Sequence, residues 1–356
     1  MTTMSPASAN RVPWVDALRG AAAMAVVLFH IYTITYERYA PETTLMASVA
    51  VRACMDLAHW GFLGVPVFFV LSGFCVGQAW LKSRSTRQFA GRRWRRIFPA
   101  YYASLLLLLG CVLAVKLVTG TNDIARLPTA SAPHLLATAT LLTYPASSTP
   151  TLNWVYWTLT YEVVFYAILT ALLVVPGRAR LVTLAILHTA ICILGVWPNL
   201  ALSSGPLFFC SLWPLFGLGL AVALAPSHRS TSVAVGLVSL LATVQLIVSG
   251  RHPELAAAAL AAASLIALGA AGIKLPHWRL LGNIGVISYS LYLIHVPLLL
   301  TIGRYLILRT AQTPARLFLG VAGLVALILV SAFIFHRWFE RPFLSSRLPA
   351  RVPLSS

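Results

Sequence analysis

Apolar stretches of about twenty residues, each bounded by charged or polar residues, recur from one end of the chain to the other. A helix needs about 20 such residues to cross some 30 Å of hydrocarbon. Ten stretches qualify: 13–36, 60–81, 98–119, 154–176, 180–197, 206–225, 232–249, 254–272, 284–308 and 316–338. They account for most of the 356 residues, so the pattern predicts an all-α integral membrane protein with about ten transmembrane helices in a single bundle. An even number of crossings puts both termini on one side. The apolar run at 135–143 is too short to cross and is expected to be a re-entrant or interfacial segment. No period of 20–50 residues and no matched halves are visible, which argues against a solenoid and against an inverted-repeat transporter.

Composition agrees with the pattern. The chain is 59% hydrophobic and 10% charged, whereas soluble domains carry about 25% charge. Its net charge of +18 raises the question of a nucleic-acid partner, and the placement of the charges answers it. With both termini cytoplasmic, the inner side carries Arg11, the run from Lys82 to Arg96, Arg178, Arg180, Arg229, Lys274, Arg279 and the four arginines from Arg337 to Arg351, together 17 of the 26 Lys and Arg. The outer side holds Arg38, Arg52, Arg126, Arg251, Arg304, Arg309 and Arg316. This is the positive-inside bias of a multi-pass protein, expected here in a bacterial inner (cytoplasmic) membrane, with lipids and not nucleic acid as the partner of the basic residues.

The expected division is a cytoplasmic tail at 1–12, a membrane domain at 13–343 and a second cytoplasmic tail at 344–356, with no fused soluble domain after Phe343. The first apolar stretch lacks a small-residue cleavage site and reads as a retained span. The outer segments 37–59 and 120–153 are the expected places for a second substrate to gather. The five cysteines have no metal-ligand or disulfide spacing and read as small buried hydrophobes.

A charge near the bilayer centre costs at least about 2.5 kcal/mol unless it is paired or hydrated, so ionisable residues at depth carry the most information. Few qualify: Asp16, Arg19 and His30 in the first span, Glu162 in the fourth, His295 in the ninth, and Glu340 at the end of the tenth. Arg19 and His30 are eleven residues apart, which returns them to one helix face with about 16 Å between them along the axis. Two readings stand at this point: a polar stripe built for chemistry, or a snorkelling arginine and a histidine that bonds a neighbouring helix.

Six motifs in order bear on the choice. They are Arg19-x10-His30; Gly61-Phe62-Leu63-Gly64-Val65 running on to Phe68-Phe69-Val70-Leu71-Ser72-Gly73-Phe74; and Arg93-Trp94-Arg95-Arg96-Ile97-Phe98-Pro99. Then come Asn153-Trp154 with Trp157-Thr158-Leu159-Thr160-Tyr161-Glu162 and Phe165-Tyr166; Ile287-Ser288-Tyr289-Ser290-Leu291-Tyr292-Leu293-Ile294-His295-Val296-Pro297; and Phe339-Glu340-Arg341-Pro342-Phe343. Together, over residues 14–343, they resemble the membrane acyltransferase-3 family; Thr158 and Thr160 stand where Ser is common in that family.

The resemblance implies an acyltransferase that moves an acyl group, commonly acetyl, from cytoplasmic acyl-coenzyme A (acetyl-CoA) to a hydroxyl of an envelope carbohydrate or lipid-linked sugar, with no metal. It nominates His30 as general base, a role that suits a side chain titrating near working pH. Glu162 would orient that imidazole or balance its charge if spans one and four are neighbours, because both residues are expected some 9–12 Å below the outer surface at 1.5 Å per residue. The alternative for Glu162 is a structural ion pair.

Coenzyme A carries phosphates and is made in the cytoplasm, so its site should be basic and open inward. Arg93 and Arg96, at i and i+3 on one helix face, and Arg19 meet both conditions. A positive-inside anchor that also binds anionic lipid is the competing reading of that cluster. Ser72 and the small residues around it line the donor channel by resemblance alone; close helix packing is what their size implies by itself. Tyr289 and His295 are expected to make structural hydrogen bonds. Direct attack by the acceptor and an acyl-histidine relay fit the same residues. The rival class is a transporter or channel in which the intramembrane Arg, His and Glu form a relay.

Overall fold

In a computed structural model, residues 12–39, 48–120, 131–197, 204–304 and 313–344 are described. Most of the predicted tails, 1–11 and 345–356, lie outside them, as does 121–130 in the second outer segment. The described chain is helical throughout: α1 Pro13–Tyr39, α2 Val49–His59, α3 Gly64–Leu81, α4 Thr86–Thr119, α5 Ala132–Thr140, α6 Trp157–Leu172 and α7 Gly177–Val196 are followed by α8 Trp213–Leu224, α9 Arg229–Val248, α10 Pro253–Ala270, α11 Arg279–Val286, α12 Ser288–Leu298 and α13 Pro314–Phe335. Short polar side chains open several of them. Ser85 Oγ accepts from Gln88 N at 3.2 Å to start α4, and Thr313 Oγ1 accepts from Arg316 N at 3.3 Å to start α13. Gly120, at φ 72°, closes α4 in the left-handed conformation that glycine tolerates best.

Among the described residues, eight helices are long and apolar enough to cross a membrane, and α11 with α12, bent by 76°, makes a ninth crossing when the pair is taken as one span. Two of the ten predicted spans therefore differ in form. The ninth is broken at Ile287, and the sixth is the 12-residue α8, about 18 Å long and lengthened by a 3₁₀ turn at Phe208–Ser211. Eleven of the 12 residues of α8 are buried, so protein, and not lipid, satisfies its ends. A second difference concerns the predicted outer segment 37–59: from Val49 onward it is helical, and α2, a 3₁₀ turn Trp60–Leu63 and α3 make one candidate span, Val49–Leu81. The apolar run at 135–143 falls on the nine-residue α5, docked by Tyr101 and Tyr102 hydroxyls that donate to the Thr138 and Ala139 carbonyls at 2.7 and 2.9 Å.

Glycines set the closest helix contacts. A Cβ on Gly73 of α3 would stand 2.0 Å from the Phe216 carbonyl oxygen of α8, and one on Gly219 of α8 would stand 1.9 Å from the Val70 carbonyl oxygen of α3. The same reciprocity joins α1 to α11, where Gly20 meets Leu281 and Gly285 meets Asp16. Small residues let backbones approach where hydrophobic driving force between helices is absent, and these two contacts fix α1, which carries Arg19 and His30, and α3, which carries Ser72.

Candidate active site

One face of the bundle opens into a cavity of about 830 Å³, open space at its mouth included, whose lining contains Arg19, Ser72, Arg93, Arg96, Glu162 and Tyr166. Five of the six site residues expected from the sequence thus meet at one place, brought there by α1, α3, α4 and α6. His30 is not among the lining residues. It stands eleven residues further along α1, about 16 Å toward the other face.

The two arginines of the RxxR pair diverge. Arg96 Nη1 donates to Glu340 Oε1 at 2.6 Å, and the other oxygen of that buried carboxylate accepts from Ser290 at 2.6 Å and meets His336 Nδ1 at 2.9 Å. The charge of Arg96 is therefore engaged by the π-helical turn His336–Glu340 that follows α13. Arg93 has no such partner: its guanidinium lies over the Phe89 and Tyr166 rings at 5.7 and 5.6 Å, and its Nε is buried without a hydrogen bond among the described residues. Arg19 approaches Asp16 at 3.8 Å, too far for a tight pair.

Glu162 accepts from Ser72 Oγ at 2.9 Å and from the Tyr166 hydroxyl. It does not orient His30. The expectation that the two would meet took both helices to end at one plane. Instead α1 runs on to Tyr39, while the chain segment leading into α6 begins with a 3₁₀ turn at Trp154 beside His30. Trp154 stacks on the imidazole, with centroids 5.8 Å apart and planes at 25°, so Glu162, eight residues later, lies deeper and faces the cavity.

The group that touches His30 is His295, whose Nε2 is 2.9 Å from His30 Nδ1. His295 Nδ1 in turn faces the carbonyls of Tyr292 and Leu291 at 2.8 and 3.1 Å. Pro297 follows two residues on; lacking an N–H, it leaves the Leu293 carbonyl without its helical donor, and Asn153 Nδ2 supplies one at 3.3 Å. Tyr289 donates to the Ile97 carbonyl at 2.9 Å, a structural bond. The tyrosines at 289 and 292 both line the cavity, so α12 carries a polar track from Arg96 toward the histidine pair.

Sequence reasoning missed two pairings, Arg96 with Glu340 and His30 with His295. The chain has only 8 acidic residues, and of these Glu340 is the one at the end of the last predicted span, on the side where the positive-inside bias puts the arginine cluster, a signal that could have found the first. The second required knowing that α12 lies against α1, which no spacing reveals.

A family model for an acyltransferase domain, the acyltransferase-3 type, matches residues 12–337. Among curated relatives, a Komagataeibacter xylinus protein named for membrane-bound transacylase activity, BcsY, is 27% identical over 360 aligned positions, 93% of this chain and 83% of its own length. The peptidoglycan O-acetyltransferase OatA of Listeria monocytogenes is 31% identical over 105 residues, 28% of this chain and 13% of its own. Nodulation protein 10 of Rhizobium leguminosarum is 28% identical over 200 residues, 49% of this chain and 51% of its own. No solved structure matches.

Proposed function

The chain belongs to the acyltransferase-3 family of multi-pass membrane proteins and is an acyltransferase, and from that premise we propose that it carries an acyl group from cytoplasmic acyl-CoA to a hydroxyl of an envelope carbohydrate, in a bacterial inner membrane with both termini inside. The observation that carries this reading is the cavity: three arginines, at 19, 93 and 96, line it, and the Arg93 Nε at its wall is buried without a hydrogen-bond partner among the described residues. A buried donor without an acceptor costs about 1–3 kcal/mol, and a phosphate oxygen would relieve it. Arg93 and Arg19 are the residues that hold donor phosphates; Arg96, engaged with Glu340, holds the wall in place. Glu162 fixes the Ser72 hydroxyl and balances the arginines.

Acetyl is the group favoured, because a relative is named for O-acetylation of peptidoglycan, and the same name supports a sugar hydroxyl as acceptor. His30 removes the acceptor proton as the new oxygen–carbon bond forms and the carbon–sulfur bond breaks. The coenzyme leaves as its thiolate and takes the proton back. The family assignment sets aside the transporter reading. Radiolabelled acetyl-CoA and purified protein in nanodiscs test the rest: free CoA should be released only when a carbohydrate acceptor is present. If no envelope sugar elicits release while another acyl-CoA or a lipid alcohol does, the donor and acceptor assigned here are wrong.

A further inference from the structure

We propose that His295 is a positioning residue that fixes the tautomer of His30, leaving His30 Nε2 as the bare nitrogen that takes the proton; this rests on the reading of His30 as base given above. The donor and acceptor roles follow in sequence from one end. Carbonyl oxygens accept and never donate, so His295 Nδ1, held between the carbonyls of Tyr292 and Leu291, carries the proton. In the neutral ring its Nε2 then holds a lone pair. The nitrogen facing it at 2.9 Å, His30 Nδ1, must therefore be the donor, and the remaining nitrogen of His30 is unprotonated. Among the described residues, no hydrogen bond engages that Nε2.

The opposite polarity would need a doubly protonated His295. That side chain is fully buried, and among the described residues no carboxylate pairs with either ring, so the cation would lack compensation at a depth where charge is expensive. The arrangement does the job of the buried aspartate in the serine proteases, which holds the base in the right tautomer, a role worth about 10⁴-fold in those enzymes. Here the anchor is a helix backbone in place of a carboxylate. Trp154 and Phe29, stacked or tilted against His30 at 5.8 and 5.3 Å, restrict the ring plane, so the bare nitrogen keeps one direction.

The pair His295→Met and His295→Gln tests the role, since the two side chains are close in size but only glutamine offers a strong acceptor. His295→Met should lower kcat by about 10²-fold, the scale of a lost general base, at unchanged donor and acceptor KM, and His295→Gln should recover at least a tenth of wild-type kcat. Combined with His30→Gln, His295→Met should cause no further loss, because the two act as one unit. Equal defects in Met and Gln, or a shift in KM alone, would show a packing role and overturn the proposal. If His30→Gln itself keeps wild-type transfer, the base reading falls; if His30→Gln is dead and His295→Met is active, the positioning role alone falls. A measurement independent of any folding defect is ¹⁵N NMR of histidine-labelled wild-type protein in nanodiscs. The His30 signals, assigned by their loss in His30→Gln, should show a protonated Nδ1 and a bare Nε2, and the reverse tautomer would refute the assignment.

Discussion

Arg93 and Arg96, three residues apart on α4, meet different partners, and the difference decides what each can offer a ligand. Arg93→Ala should raise the KM for acyl-CoA several-fold more than that for the acceptor, with thermal stability little changed, because among the described residues its guanidinium meets ring faces and no carboxylate. Arg96→Ala should instead leave Glu340 buried without its cation, and breaking such a pair costs about 3 kcal/mol. Its signature is a lowered melting temperature in detergent, matched by Glu340→Gln; equal stability of all three variants with equal donor KM would contradict the division.

His30 makes a complementary prediction on the same scale. His30→Ala should insert and still bind acyl-CoA, and its kcat should fall by about 10²–10⁴-fold, whereas Arg19→Ala, on the cavity wall, should weaken donor binding as well. Transfer and CoA binding measured at equal expression separate the two. A His30→Ala protein with more than about a tenth of wild-type transfer would exclude the base role.

At the scale of elements, the bundle depends on backbone contact at a few glycines. Gly73→Ala places a methyl group 2.0 Å from a carbonyl of the buried α8, and neither backbone can retreat without disturbing the cavity wall that Ser72 supplies. Its yield of folded protein and its melting temperature should drop clearly below wild type. Gly110→Ala on α4, where a Cβ meets nothing within 4 Å, should behave as wild type, and size-exclusion profiles of the two variants give the comparison.

The same elements show what was legible in the sequence. Long apolar runs announced α1, α4, α7, α9, α10 and α13, since hydrocarbon demands that length of any crossing helix. The short α8 and the break at Ile287 were illegible as such, because buried helices in a membrane are apolar on every side whether or not they span fully. The residues of the cavity were legible as charged or small groups at unusual depth. Which of them touch was not: counting from a common surface plane puts Glu162 at the depth of His30, whereas the turn at Trp154, three residues before α6, stands beside His30, a placement set by packing that no single-sequence period encodes.

For the whole molecule, the pairing of helix ends fixes the parity of the crossings. Arg19 near the start of α1 and Arg96 in the N-terminal third of α4 line one cavity, and Arg96 reaches Glu340 at the end of the last described span, so the start of α1 and the end of that span lie at the same face. Trp14 against Gly269 and Ser232 against Ala221 belong to that face. Arg251 bonding Trp197 at 3.1 Å, and Trp154 beside His30, belong to the other. Among the described residues, eight full-length helices and one bent pair, taken as one span, make an odd number of crossings, and only if the short α8 also crosses does the count become even.

The excess of arginine then decides which face is which, and it predicts that both termini and the 82–97 segment are cytoplasmic while 120–153 faces outward. A phosphatase–β-galactosidase dual reporter fused after Thr129 should be active as the outward-working enzyme, and one fused after Arg84 as the inward-working enzyme. A pair of fusions flanking α8, after Ser204 and after Ser227, should report opposite sides. If those two report the same side, α8 does not cross and the parity argument fails; if every reporter is inverted, the helix pairing stands and the charge rule has misassigned the faces, which would move the donor cavity out of reach of cytoplasmic acyl-CoA.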